Sequence, residues 1–75
     1  MVFEKVKKIL EEFVMVDMDA VELDATFEEI NADSLDLVEI ICECEDCFDI
    51  QIPEKVIADT NCKIRTLVEY IQSEI

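Results

Sequence analysis

Apolar residues recur at intervals of three and four in three separate stretches, and no competing period runs through the rest of the chain. Val2, Val6, Ile9, Leu10, Phe13 and Val14 form the first stripe, which predicts an amphipathic helix over residues 2–14. Leu37, Ile40, Ile41, Cys44 and Phe48 form the second, over 34–48, where Asp33 and Ser34 are both candidate N-caps. Ile64, Leu67, Val68, Ile71 and Ile75 form the third, with Thr60 or Asn61 as its expected cap. Pro53 is suited to open a brief further helix through Ala58, after a short extended exit at 49–52. No β-hairpin signal, internal repeat or low-complexity linker is visible. The expected fold class is all-α: a small four-helix bundle of three longer helices and one short one.

The stretch between the first two helices, 15–33, has no sustained period and reads as a long loop. Leu23, Phe27 and Ile30 are expected to pin it to the core. Thr26 and Glu29 have the spacing of a capping box, so a short helical turn is expected there. With 75 residues in all, the chain is expected to form a single domain, 1–75. A domain of that size has no room for a deep, walled active site of its own.

Charge narrows the function. Twenty acidic residues against six basic ones give a formal charge of −14. Nucleic acid and membrane surfaces, themselves anionic, are poor partners for such a chain, and basic protein surfaces are good ones. The excess is uneven: residues 9–54 hold 16 acids and no Lys or Arg. Asp36, Glu39, Glu43 and Asp46 are spaced three, four and three apart, which lines them along the second helix. Like charges at this spacing repel one another by a few tenths of a kcal/mol per pair. A run of this kind, with no cation among it, reads as a docking face for a Lys- and Arg-rich partner rather than as simple solvation. The N-terminus has neither the basic start and apolar run of a signal peptide nor the composition of a transit peptide, and no stretch is long and apolar enough for membrane insertion. A cytoplasmic monomer is expected.

Ser34 stands where the loop meets the second helix. With no His in the chain and no Lys or Arg near it in sequence, it is a poor nucleophile, and no catalytic residue is expected. A helix N-terminus does present unpaired N–H groups and positive potential, so a phosphodiester attached at Ser34 is well accommodated there.

The run Asn31-Ala32-Asp33-Ser34-Leu35-Asp36-Leu37-Val38-Glu39 resembles the Asp-Ser-Leu attachment motif of acyl carrier proteins. Phe27-Glu28-Glu29-Ile30, the segment from Glu45 to Pro53, and Leu67-Val68-Glu69-Tyr70-Ile71 resemble the flanking parts of that family, so the similarity spans essentially the whole chain. The resemblance implies a covalent 4′-phosphopantetheine on Ser34, supplied from coenzyme A by a phosphopantetheinyl transferase, with Asp33 as a contact of that transferase or its magnesium. It implies that Leu35, Asp36, Glu39, Glu43 and Asp46 meet basic patches on the enzymes of acyl-chain synthesis and transfer, those of fatty acid synthesis first among them. It also implies an acyl chain sheltered between the helices. The family's glycine two residues before the Asp is Asn31 here. Asn tolerates a left-handed backbone, so the same turn is expected.

Other features point elsewhere less well. Cys42, Cys44, Cys47 and Cys62 are expected to be reduced thiols, because helical spacing turns the first three away from one another and from a common metal. Residues 17–28 place acids at the first, third and last positions of a calcium loop. Val21 stands at its fifth position, and Glu22 at the sixth, where the turn needs Gly. A specialised carrier of polyketide, aminoacyl or other acyl groups remains an alternative, as does an unmodified acidic interaction or calcium-buffering module.

Overall fold

The computed structural model describes residues 2–75, apart from the Met18 side chain. Among the described residues three α-helices carry the fold: α1, Val2–Glu11; α2, Ser34–Phe48; and α3, Ile64–Glu74. A 3₁₀ turn, Met18–Ala20, lies in the first loop. The class is all-α, a small helical bundle in which α1 packs against both α2 and α3.

Each helix buries most of the stripe its sequence defines. Val6, Ile9 and Leu10 of α1, Leu37, Ile40 and Cys44 of α2, and Ile64, Leu67, Val68 and Ile71 of α3 meet in one core. Ile41 and Phe48 are only half-buried at its margin, and Ile75, beyond the end of α3, is exposed. Fully burying an aliphatic side chain of this kind contributes about 1.5–3 kcal/mol.

α1 is shorter than its stripe. Glu12 and Phe13 donate to carbonyls three residues back, Ile9 and Leu10, at 3.1 and 3.0 Å, so the helix tightens after Glu11. Two acids at that end face the negative pole of the helix dipole, which disfavours extension. Val14 still reaches the core.

The long loop is held by structure of its own. Thr26 N–H donates to Glu29 Oε1 at 2.8 Å and Glu29 N–H to Thr26 Oγ1 at 3.1 Å, the reciprocal pair expected of a capping box. One turn later Ala32 N–H donates to Phe27 O at 3.0 Å and Asn31 N–H to Glu28 O at 2.9 Å, while Asn31 adopts φ 65°. This is a Schellman closure with asparagine in the left-handed position. Phe27, Ile30 and Ala32 are buried, and Leu23 is partly so.

Two expectations at the C-terminal half are corrected. Residues 53–58 form turns, closed by Val56 N–H to Pro53 O at 3.0 Å, where a short helix was expected. Six residues offer too few bonds to offset helix nucleation, and Val56 and Ile57 are β-branched. α3 starts at Ile64, and its N-cap residue, Lys63, makes no side-chain cap. Thr60 and Asn61 lie too far upstream. The first amides of α3 are satisfied from the long loop: Ile64 N–H donates to Ala25 O at 2.9 Å and Arg65 N–H to Leu23 O at 2.8 Å. In return Phe27 N–H donates to Cys62 O, which with the bond from Ile64 to Ala25 forms an isolated antiparallel bridge centred on Thr26 and Lys63, and Glu28 N–H donates to Thr60 O beyond it. The Arg65 guanidinium adds a 2.8 Å ion pair to Asp24 and holds that carboxyl below its usual range.

Candidate functional site

The left-handed turn at Asn31 delivers the chain to α2 at a fixed point. Asp33 is the N-cap: its Oδ1 accepts from Asp36 N–H at 2.8 Å, and Asp36 Oδ2 accepts from Asp33 N–H at 3.2 Å. Leu37 N–H donates to Asp33 O at 2.9 Å, the first bond of the helix. With the third and fourth amides spoken for, those of Ser34 and Leu35 remain at the positive end of the dipole. Ser34 is the first helical residue, and it is exposed.

Ser34 also sits at the end of a groove of about 330 Å³. One wall is the face of α2 bearing Leu37, Val38, Ile41, Cys42 and Glu45; the other is the returning segment, through Ile52, Ile57 and Ala58. Ile52 and Ile57 are buried at its base. The volume falls within the usual range of ligand pockets, and the lining is mostly apolar with a few polar groups, as such sites are.

The expected docking residues fall together on the outer surface of α2. Leu35 is 77% exposed, and Glu39, Glu43 and Asp46 are exposed along the same helix; Asp36, turned toward its cap partner, is half-buried. Val38, 59% exposed, joins Leu35 as an apolar patch beside Ser34. Its place off the buried stripe marked it as surface, and nothing in the local sequence marked it as part of a groove.

The cysteines divide as free thiols: Cys42 and Cys47 exposed, Cys62 half-buried, Cys44 buried. Burial pushes the Cys44 thiol up to about 12. Among the described residues no group of three or more His, Cys, Asp or Glu is placed to hold a metal ion. In the stretch compared with a calcium loop, Asp17 caps Asp19 N–H at 3.0 Å, and Asp24 pairs with Arg65 of α3.

An exposed serine at a capped helix start, beside an apolar groove and below an acidic surface, fits a long phosphodiester-linked arm with an apolar cargo. Comparison with known proteins shows the family. Residues 4–71 match the family model described as "Phosphopantetheine attachment site", which defines the chain as a phosphopantetheine-bearing carrier. It is 43% identical over 74 residues to the acyl carrier protein of Streptococcus pneumoniae serotype 4, covering 97% of this chain and 95% of that protein. Identity is 41% over 73 residues to that of Streptococcus thermophilus, covering 97% and 95%, and 38% over 73 residues to that of Campylobacter lari, covering 96% and 94%. The chain belongs to the acyl carrier protein family. It is a carrier, not an enzyme, and its prosthetic group is 4′-phosphopantetheine.

Proposed function

We propose that Ser34 bears the 4′-phosphopantetheine arm and that the groove beside it shelters the acyl chain. When bound, the arm supplies a thiol on which acyl groups are held as thioesters. The side chains of this protein do the rest. The amides of Ser34 and Leu35, left over by the Asp33 cap, would help to hold a phosphodiester, which is favoured at a helix N-terminus even in so acidic a molecule. Leu37, Val38, Ile41, Ile52 and Ile57 supply apolar surface that withdraws an acyl chain from water. Residues 53–58, a run of turns, serve as the fourth wall of the bundle.

The acidic line carries recognition. Asp36, Glu39, Glu43 and Asp46, with Leu35 and Val38 as apolar contacts, dock on basic surfaces of the transferase and of fatty acid synthesis enzymes. Asp33, beside Ser34, contacts the transferase or its magnesium. Electrostatic steering gives fast encounter and easy release, which suits a carrier that serves one enzyme after another. The reading is of one carrier domain over 1–75, a monomer working in the cytoplasm.

The observation that carries this is the position of Ser34: exposed, first in a capped helix, and opening onto the groove. Incubation with coenzyme A, magnesium and a broad-specificity phosphopantetheinyl transferase is expected to add one phosphopantetheine mass. Ser34→Ala abolishes the addition. No gain by the wild type, or an undiminished gain by Ser34→Ala, refutes the assignment.

A further inference from the structure

The groove has two walls of unequal strength. α2 is a regular helix. The opposite wall, 52–59, has a single backbone bond of its own, from Val56 to Pro53. Its far end is tied where Glu28 N–H donates to Thr60 O at 2.8 Å. Its near end leaves α2 through Asp49, which is left-handed at φ 54°.

That near end is organised by one residue. The Glu45 carbonyl accepts from Asp49 N–H and, at 3.2 Å, from Ile50 N–H, closing the helix. The Glu45 carboxylate then reaches across and accepts from Ile52 N–H at 2.8 Å. Among the described residues this is the sole hydrogen bond from an α2 side chain to the opposite wall. Next to it, Tyr70 Oη donates to Gln51 O at 3.1 Å, so the exit is held from α3 as well. Glu45 itself is half-buried and lines the groove, whereas Glu43 and Asp46 on either side are exposed on the docking surface. A carboxylate withdrawn from water beside Ile52 is costly unless it is hydrogen-bonded. The Ile52 amide supplies that bond, and a charge-assisted bond is stronger than a neutral one.

We infer that Glu45 is a positioning residue for cargo protection: by latching Ile52 to α2, it fixes the width of the groove in which the acyl chain lies. Its task differs from that of the neighbouring acids, which face partners. The latch requires an acceptor oxygen at the right reach and does not require the charge. What fills the groove rests on the carrier reading; the latch itself does not.

Two variants separate reach from charge. Glu45→Gln keeps the reach and an acceptor oxygen. Glu45→Asp keeps the charge and falls one methylene short. The first measurement is hydrogen exchange on unmodified protein at the Ile52 amide, read relative to the core amides of Leu10 and Ile71, which corrects for global loosening. Losing a hydrogen bond to a charged acceptor is expected to speed Ile52 exchange by about 10- to 100-fold in Glu45→Asp. Glu45→Gln is expected to exchange only about three- to tenfold faster than wild type, less than Glu45→Asp, since a neutral acceptor contributes roughly half as much as a charged one. The second measurement is hydrolysis of octanoyl and acetyl thioesters on loaded protein. Octanoyl is expected to hydrolyse several-fold faster in Glu45→Asp and near the wild-type rate in Glu45→Gln, with acetyl, too short to fill the groove, the same in all three. Unchanged Ile52 exchange in Glu45→Asp overturns the latch. Octanoyl hydrolysis equal in the two variants overturns its role in protection. A wild type that cannot be loaded refutes the carrier reading, and the exchange data still decide the latch.

Discussion

Asp33 is at once the cap of α2 and a proposed contact of the loading enzyme, and two substitutions separate those roles. Asp33→Ala removes the oxygen that accepts Asp36 N–H at 2.8 Å. Loss of an N-cap costs about 0.5–2 kcal/mol, and loss of the charge from the positive pole of the dipole about 0.3–1 kcal/mol more. Removing one of two acids three residues apart returns a few tenths of a kcal/mol in repulsion. The reciprocal bond from Asp33 N–H to Asp36 Oδ2 is a backbone donor and is available to alanine. The net is a destabilisation of about 1–2 kcal/mol. For a domain of this size that lowers Tm by about 4–15 °C, against a total stability on the order of 4–11 kcal/mol. Asp33→Ala therefore stays folded at room temperature.

Asp33→Asn behaves differently. Asparagine is as good a cap as aspartate, so its Tm is expected within about 5 °C of wild type, the difference being the lost dipole contact. Loading, followed by mass spectrometry as an initial rate at a temperature where every variant is folded, is expected to fall about tenfold or more in both variants, the size of one lost charge-assisted contact. Two results refute the reasoning. If Asp33→Asn melts as low as Asp33→Ala, the side-chain oxygen is not the cap. If Asp33→Asn loads at the wild-type rate, the carboxylate is structural only and Ser34 is recognised by other groups.

Two further outcomes follow from charge. Reversing Glu39 and Glu43 to Lys is expected to slow association with a partner enzyme about tenfold at low salt and to flatten its salt dependence; unchanged kinetics with intact helicity by circular dichroism would reduce the acidic line to solvation. Asp24, held below its usual 3.8 by Arg65, contributes stability above that value and loses it as pH falls through its native pKa. The Tm advantage of wild type over Asp24→Asn is accordingly expected to be level from neutral pH to about pH 5 and to vanish in stronger acid; an advantage independent of pH would mean that the pairing is not its source.

What could be read from the sequence divides along the range of the interactions. α2 runs from Ser34 to Phe48 as its stripe indicates, because its cap, its first-turn acid and its apolar face all lie within the helix or one residue before it. The turn at Asn31 is equally local: φ 65° and two backbone bonds span six residues. The start of α3 is not local. Thr60 and Asn61 have good capping chemistry, yet both stand upstream of the N-cap position, which Lys63 occupies, and Asn61 N–H is itself capped by Asp59 Oδ1 at 2.9 Å. The amides of α3 are completed by Ala25 and Leu23, some forty residues away, which no window of sequence displays. The groove is harder still. Val38 and Cys42 fall off the buried stripe of α2, and Ile57 and Ala58 sit in a segment too short to show a period. Each of these reads as surface or turn by itself. They come together only in the fold, where Glu45, outside the acidic line of α2, turns toward the facing wall and accepts from Ile52 N–H. On the proposed reading, local capping sets where the arm is attached, while a side-chain bond between elements shapes the space for what the arm carries.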